Sequence, residues 1–128
     1  MSVPPEERRT REGEIALEEP DTLLGIASAL RDSLEGAPAI VLSEAEWFYR
    51  FVKDPVRPIG LFDEREYFLG EFALLAGTAS RIVGRRDDAR RWYDRAEYNF
   101  RLTVNSVADS CRVSYQRLAL TLEERHYS

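Results

Sequence analysis

Apolar residues recur at steps of three and four along most of this chain, and those steps define a series of helices. The clearest unit runs from Gly70 to Thr103, a helix–turn–helix of 34 residues. Phe68, Phe72, Leu75, Ala79 and Ile82 form one buried stripe on the long helix that enters it. Gly84-Arg85-Arg86-Asp87 makes the turn, and Ala89, Trp92, Tyr93, Ala96 and Phe100 repeat the periodicity on a second helix. Gly77, Ala89 and Ala96 are small where the two helices meet, and Tyr93 fills the gap above them. The pattern therefore predicts two antiparallel helices in close contact, and it carries no reaction chemistry.

Upstream, Asp21 or Thr22 is expected to cap a helix that runs to Leu34 and presents Leu23, Ile26, Ala27, Leu30 and Leu34 on one face. Glu35-Gly36-Ala37-Pro38 ends it. Ser43-Glu44-Ala45-Glu46 reads as a capping box that starts a short aromatic helix through Trp47, Phe48, Tyr49, Phe51 and Val52. Phe48 and Phe51 or Val52 suit a core, which leaves Trp47 or Tyr49 outside, either plugging a gap beside its neighbours or marking a contact patch. Pro55 and Pro58 make a stiff connection, and Asp63-Glu64-Arg65-Glu66 is a second capping box. Asn105 or Ser106 is expected to cap a last helix with Val107, Cys111, Tyr115, Leu118 and Leu122 on one face. Only Ala39–Leu42 hints at extended backbone, and it is too short to support a sheet. The expected fold is all-α, about five helices in stacked antiparallel pairs. Residues 1–20 are read as a mobile charged arm and residues 21–128 as the helical domain. Arg125-His126-Tyr127-Ser128 looks like the turn into another helix, so the chain is expected to be part of something longer or to pack its last helix on a second copy.

Composition changes this picture in two places. The net charge is −5, which sets bulk attraction to nucleic acid aside. The charge is uneven, with 8 basic against 16 acidic side chains in residues 1–80 and 10 against 7 in residues 81–128. Cys111 is the only cysteine, so no internal disulfide forms and a reducing, cytoplasmic setting is the default. No secretory signal is visible, and no apolar run approaches the roughly 20 residues needed to span a bilayer.

At residues 70–103 the pattern resembles a tetratricopeptide repeat. Gly77, Gly84, Ala89, Tyr93 and Ala96 stand at five of that family's signature positions in the right order and spacing. Ala73, Ser80 and Arg86 stand where large aromatics are usual, and Arg101 lies near the place of a terminal proline. The signature covers about a quarter of the chain. Residues 107–128 look like the first helix of a further repeat, whereas residues 22–52 form a helical pair without signature support. The resemblance implies a right-handed stack of helix pairs whose concave groove is lined by the first helix of each pair. Carried onto this sequence, the groove positions are Glu71, Leu74, Thr78 and Arg81. The family's best-known groove holds a peptide carboxylate with Lys, Asn and Arg. Glu71 and Leu74 stand in two of those places here, so that ligand is not expected.

Candidate chemistry is sparse. His126 is the only histidine and reads as a solvent-exposed loop residue, and Cys111 reads as a buried inert thiol on an apolar face. The paired carboxylates at Glu44 and Glu46, and at Asp63, Glu64 and Glu66, are explained by helix starts. No glycine spacing matches a phosphate loop, and neither a metal nor a cofactor is expected. Arg81, Arg85, Arg86, Arg90, Arg91 and Arg95 cluster within fifteen residues. Asp87–Arg91, Arg90–Asp94 and Glu97–Arg101 are expected to offset part of that charge on a solvated face. The alternative is an anion-binding patch centred on Arg81, Arg85 and Arg86, which lack acidic partners in sequence, for an acidic peptide or the chain's own acidic arm. The expected function is a protein-interaction module, scaffold or regulatory, that binds a partner protein or peptide and dimerises, if at all, through exposed terminal helices. The other readings are a small helical ligand-binding bundle or enzyme and, third, a nucleic-acid-binding helical regulator.

Overall fold

In a computed structural model, residues 17–59, 62–104 and 111–126 are described, and all regular structure among them is helical. Five helices run in order: α1 (Pro20–Asp32), α2 (Pro38–Lys53), α3 (Phe62–Ile82), α4 (Arg86–Val104) and α5 (Cys111–His126). Residues 1–16, Asn105, Ser106 and Val107, and the side chains of Asp63, Cys111 and Tyr115 lie outside the described residues.

Two helix starts differ from the sequence reading, and proline is the reason for both. α1 begins at Pro20 and α2 at Pro38, each with proline in the first positions and no side-chain cap, so Asp21 belongs to the first turn of α1 and does not cap it. Proline suits that place because its missing N–H is one the helix could not use and its φ is already helical. Pro38 thus starts α2, and Ala39–Leu42 is its first turn, not extended chain. Ser43 and Glu46 then lie inside α2, so their capping-box spacing is coincidental. Of the second box, Glu66 is engaged across the helix pair, accepting a 2.8 Å hydrogen bond from Asn99 Nδ2.

α3 is the central helix and touches each of the other four, most extensively α4. The pairs Glu66–Asn99, Gly70–Phe100 and Gly77–Tyr93 fix an antiparallel register for α3 and α4. Ala89, Tyr93, Ala96 and Phe100 are fully buried in that seam. The connecting turn closes at Gly84, whose φ of +85° is the left-handed geometry that favours glycine, and Arg85 N–H donates to Ser80 O at 2.8 Å. On the other flank Phe48 stacks on Phe72, with centroids 5.3 Å apart, and joins α2 to α3.

The aromatic run of α2 is more buried than expected. Phe48, Tyr49 and Phe51 are all in the core, and only Trp47 stays half-buried, stacked on Phe51. Tyr49 finds room because Trp92 of α4 meets it edge to face at 5.1 Å. Arg65 of α3 secures the end of α2. Its guanidinium donates to Val52 O at 2.6 Å, a carbonyl of the last turn, and to Asp54 O at 2.7 Å and Arg57 O, which also accept from the backbone N–H groups of Arg57 and Ile59.

Candidate functional site

Glu71, Leu74, Thr78 and Arg81 follow one another at steps of three and four, so they share one stripe of α3. The structure sets that stripe in a cleft between α1, which contributes Arg31 and Leu34, and α5, which contributes Arg117, Leu120 and Glu124. The cleft holds a cavity of about 110 Å³ walled by Leu34, Leu74, Leu75 and Leu120. Its floor is not the open groove surface the resemblance implied. Glu71 is 2% exposed and Leu74 is buried, because α1 and α5 both lie across them, while Thr78 and Arg81 are half-buried.

Glu71 is the electrostatic centre. Arg31 Nη1 donates to Glu71 Oε2 at 2.7 Å, which ties α1 to α3. Arg117 Nε of α5 lies 2.7 Å from Oε1 but out of line for a hydrogen bond, so that buried oxygen has charge compensation without a hydrogen-bond donor. Burial pushes the Glu71 carboxyl above its usual range, and the guanidinium groups of Arg117 and Arg31 oppose it. Burial likewise raises the nearby Tyr67 hydroxyl, with the Glu71 charge adding to the effect. Guanidinium groups from two helices thus compensate the charge of this buried carboxylate, although only Oε2 accepts a hydrogen bond from them.

Arg81 closes the other end of the cleft, and it is not free. Its Nη2 donates to Glu124 Oε2 at 2.8 Å, and its Nε donates to the Tyr93 hydroxyl at 3.3 Å. Tyr93 in turn donates to Thr78 Oγ1 at 3.4 Å, so the ring that fills the α3–α4 seam also reaches the cleft wall. Arg81 is thus engaged with α5 and Tyr93, whereas Arg85 and Arg86 are exposed at the turn. The ion pairs expected along α4 also shift. Arg91 pairs with Asp88 at 2.9 Å and not with Asp87, and Asp94 pairs with Arg125 of α5 at 2.8 Å and not with Arg90. Glu97–Arg101 forms as expected, at 2.9 Å.

Arg31, Arg117 and Glu124 were not singled out from the sequence. They lie 40, 46 and 53 positions from Glu71 along the chain, and no local spacing marks them. Among the described residues no group of three or more His, Cys, Asp or Glu side chains could hold a metal ion, and no helix is long and apolar enough to cross a membrane. Compared with protein-family models, with curated proteins and with solved structures, the chain matches none.

Proposed function

We propose that the chain is a helical scaffold that binds another polypeptide and seats one partner side chain in the α1/α3/α5 cleft. The size and lining of the cavity carry this reading. About 110 Å³ walled by leucines suits a single apolar side chain, whereas small-molecule pockets usually enclose roughly 300–1,000 Å³. The charged rim of Arg31, Arg81 and Glu124 would fix the register of the partner backbone. The tetratricopeptide resemblance supports the same view. It takes α1–α2 and α3–α4 as pairs and α5 as the first helix of a third, and helices α1, α3 and α5 are the three that share the cleft.

A second reading, a helical ligand-binding bundle, is favoured by one observation: Arg31, Glu71 and Arg117 converge on a cavity. The small cavity volume ranks it second.

Thr78→Phe tests the proposal by filling the cleft. A displayed library of random peptides is selected against the wild-type chain and the hits are re-measured on the variant. Apolar-anchored peptides that lose at least tenfold in affinity, with the melting temperature within a few degrees, are the expected result. Hits that bind both proteins equally would refute the cleft as the binding site.

A further inference from the structure

On a different surface, sharing no residue with the cleft, a groove runs between α2 and α4 past the α3–α4 turn. One half is lined by Ala39, Leu42, Ser43, Val83 and Arg85, and encloses about 360 Å³. The other half is lined by Asp88, Arg91, Trp92 and Arg95, and encloses about 290 Å³. Glu46 borders both halves and makes them continuous. We propose that this groove docks an extended polypeptide segment that carries two carboxylates about five residues apart with aliphatic side chains between them.

The charges choose the partner. Arg85 and Arg95 are exposed at opposite ends of the groove, and neither takes part in an ion pair among the described residues. Arg95 is instead held over the Trp92 ring, its guanidinium carbon 4.5 Å from the centroid, which fixes the cation while leaving its N–H donors unused. Arg91 is already paired with Asp88, so the middle of the groove is neutral to acidic, with Glu46 beside it. A ligand carboxylate is therefore attracted at the two ends and repelled at the centre. Ten positions separate Arg85, just before α4, from Arg95 within it, roughly 15 Å at helical rise. Extended chain covers that distance in four to five residues at about 3.3 Å each.

The apolar lining argues for polypeptide over nucleic acid. Leu42 floors the groove, Ala39 lines it beside Leu42, and Val83 is 38% exposed on its edge. These offer contact to aliphatic side chains and nothing to a sugar–phosphate backbone. A phosphate chain would also pass Glu46 and Asp88, and the Trp92 face that could stack a base is covered by Arg95.

The test uses the full chain and a fluorescent peptide, Gly-Glu-Ala-Leu-Ser-Leu-Glu-Gly, capped at both ends, read by fluorescence anisotropy at low salt. Analogues carry Gln for both Glu, or Ser for both Leu, and a six-nucleotide single-stranded DNA is the competing probe. The peptide is expected to bind in the micromolar to millimolar range and to weaken with salt, and each analogue to bind several-fold more weakly. Arg85→Gln and Arg95→Gln should each weaken binding roughly threefold to fivefold. Arg101→Gln, which removes the same charge beyond the groove, should change it less than twofold. Equal binding of the Gln analogue, indifference to both groove substitutions, or tighter binding of the DNA would each overturn the proposal. The melting temperatures of the variants separate a lost contact from a lost fold.

Discussion

Gly77 lies directly under the ring of Tyr93: a β-carbon placed on it would sit 2.7 Å from both Tyr93 Cδ1 and Cε1. The close approach of α3 to α4 thus depends on an absent methyl group opposite a fully buried ring. Alanine at an ordinary helical position gains about 1 kcal/mol over glycine, but overpacking a core costs roughly 1–3 kcal/mol. Gly77→Ala is therefore expected to be destabilising by up to about 2 kcal/mol in urea unfolding. In a Tyr93→Ala background the same change should become stabilising, because the ring it strikes is gone. A destabilisation of equal size in both backgrounds would place the strain elsewhere.

Gly84 raises a separate question of backbone and not of space, since nothing lies within 4 Å of a β-carbon there and its φ is +85°. Gly84→Ala should cost about 1 kcal/mol, and Gly84→Asn less, because asparagine enters left-handed backbone more readily. Equal stability of the wild type and the alanine variant would show that the turn opens to another conformation.

The buried carboxylate gives a pH signature. Burial raises Glu71 above its usual 4.5, with Arg117 and Arg31 pulling the other way. A raised native value means that the folded state holds the proton more tightly than the unfolded chain does. The stability this group contributes is therefore full below the unfolded value and is lost as pH rises through the folded one. The stability of wild type relative to Glu71→Gln should fall as pH rises from about 4, measured by urea unfolding at each pH. Arg117→Leu should steepen that fall by removing a compensating charge. A wild-type advantage that grows with pH would contradict the assignment.

Charged side chains supply much of the described attachment of α5. Arg117 meets Glu71, Glu124 meets Arg81, and Arg125 meets Asp94, while Leu118 and Thr121 are its buried described side chains. The two partly exposed pairs, Glu124–Arg81 and Arg125–Asp94, contribute roughly 0–1 kcal/mol each and weaken with salt. Hydrogen exchange should therefore open α5 before the α3–α4 pair, and 0.5 M salt should widen the difference. Arg81→Gln should speed exchange in α5 more than in the α3–α4 pair. Exchange in α5 as slow as that in α3 would mean that apolar packing holds it.

Local pattern made much of the fold legible. The α4 stripe, the α3 stripe through Phe68, Phe72, Leu75 and Ala79, the turn at Gly84 and the small-residue seam at Gly77, Ala89 and Ala96 were all readable, because neighbours three and four apart set them; Ile82, expected to continue the α3 stripe, is instead 41% exposed at the end of the helix. The start of α2 was not, because the same proline that stops one helix begins the next. The place of Tyr49 was hidden too, since its burial depends on Trp92 across the core.

The candidate site divides along the same line. By itself the sequence determined that Glu71, Leu74, Thr78 and Arg81 occupy one face of a helix, a consequence of 3.6-residue periodicity alone. Only the tertiary structure decided that this face is roofed by α1 and α5, that Glu71 is buried between Arg31 and Arg117, and that Arg81 belongs to Glu124 and Tyr93 and not to the arginines of the turn. The physical reason is range. Helical periodicity is fixed within a few residues of backbone, whereas a buried charge takes its partners from whatever the folded chain brings within hydrogen-bonding distance, here 40 and 46 positions away.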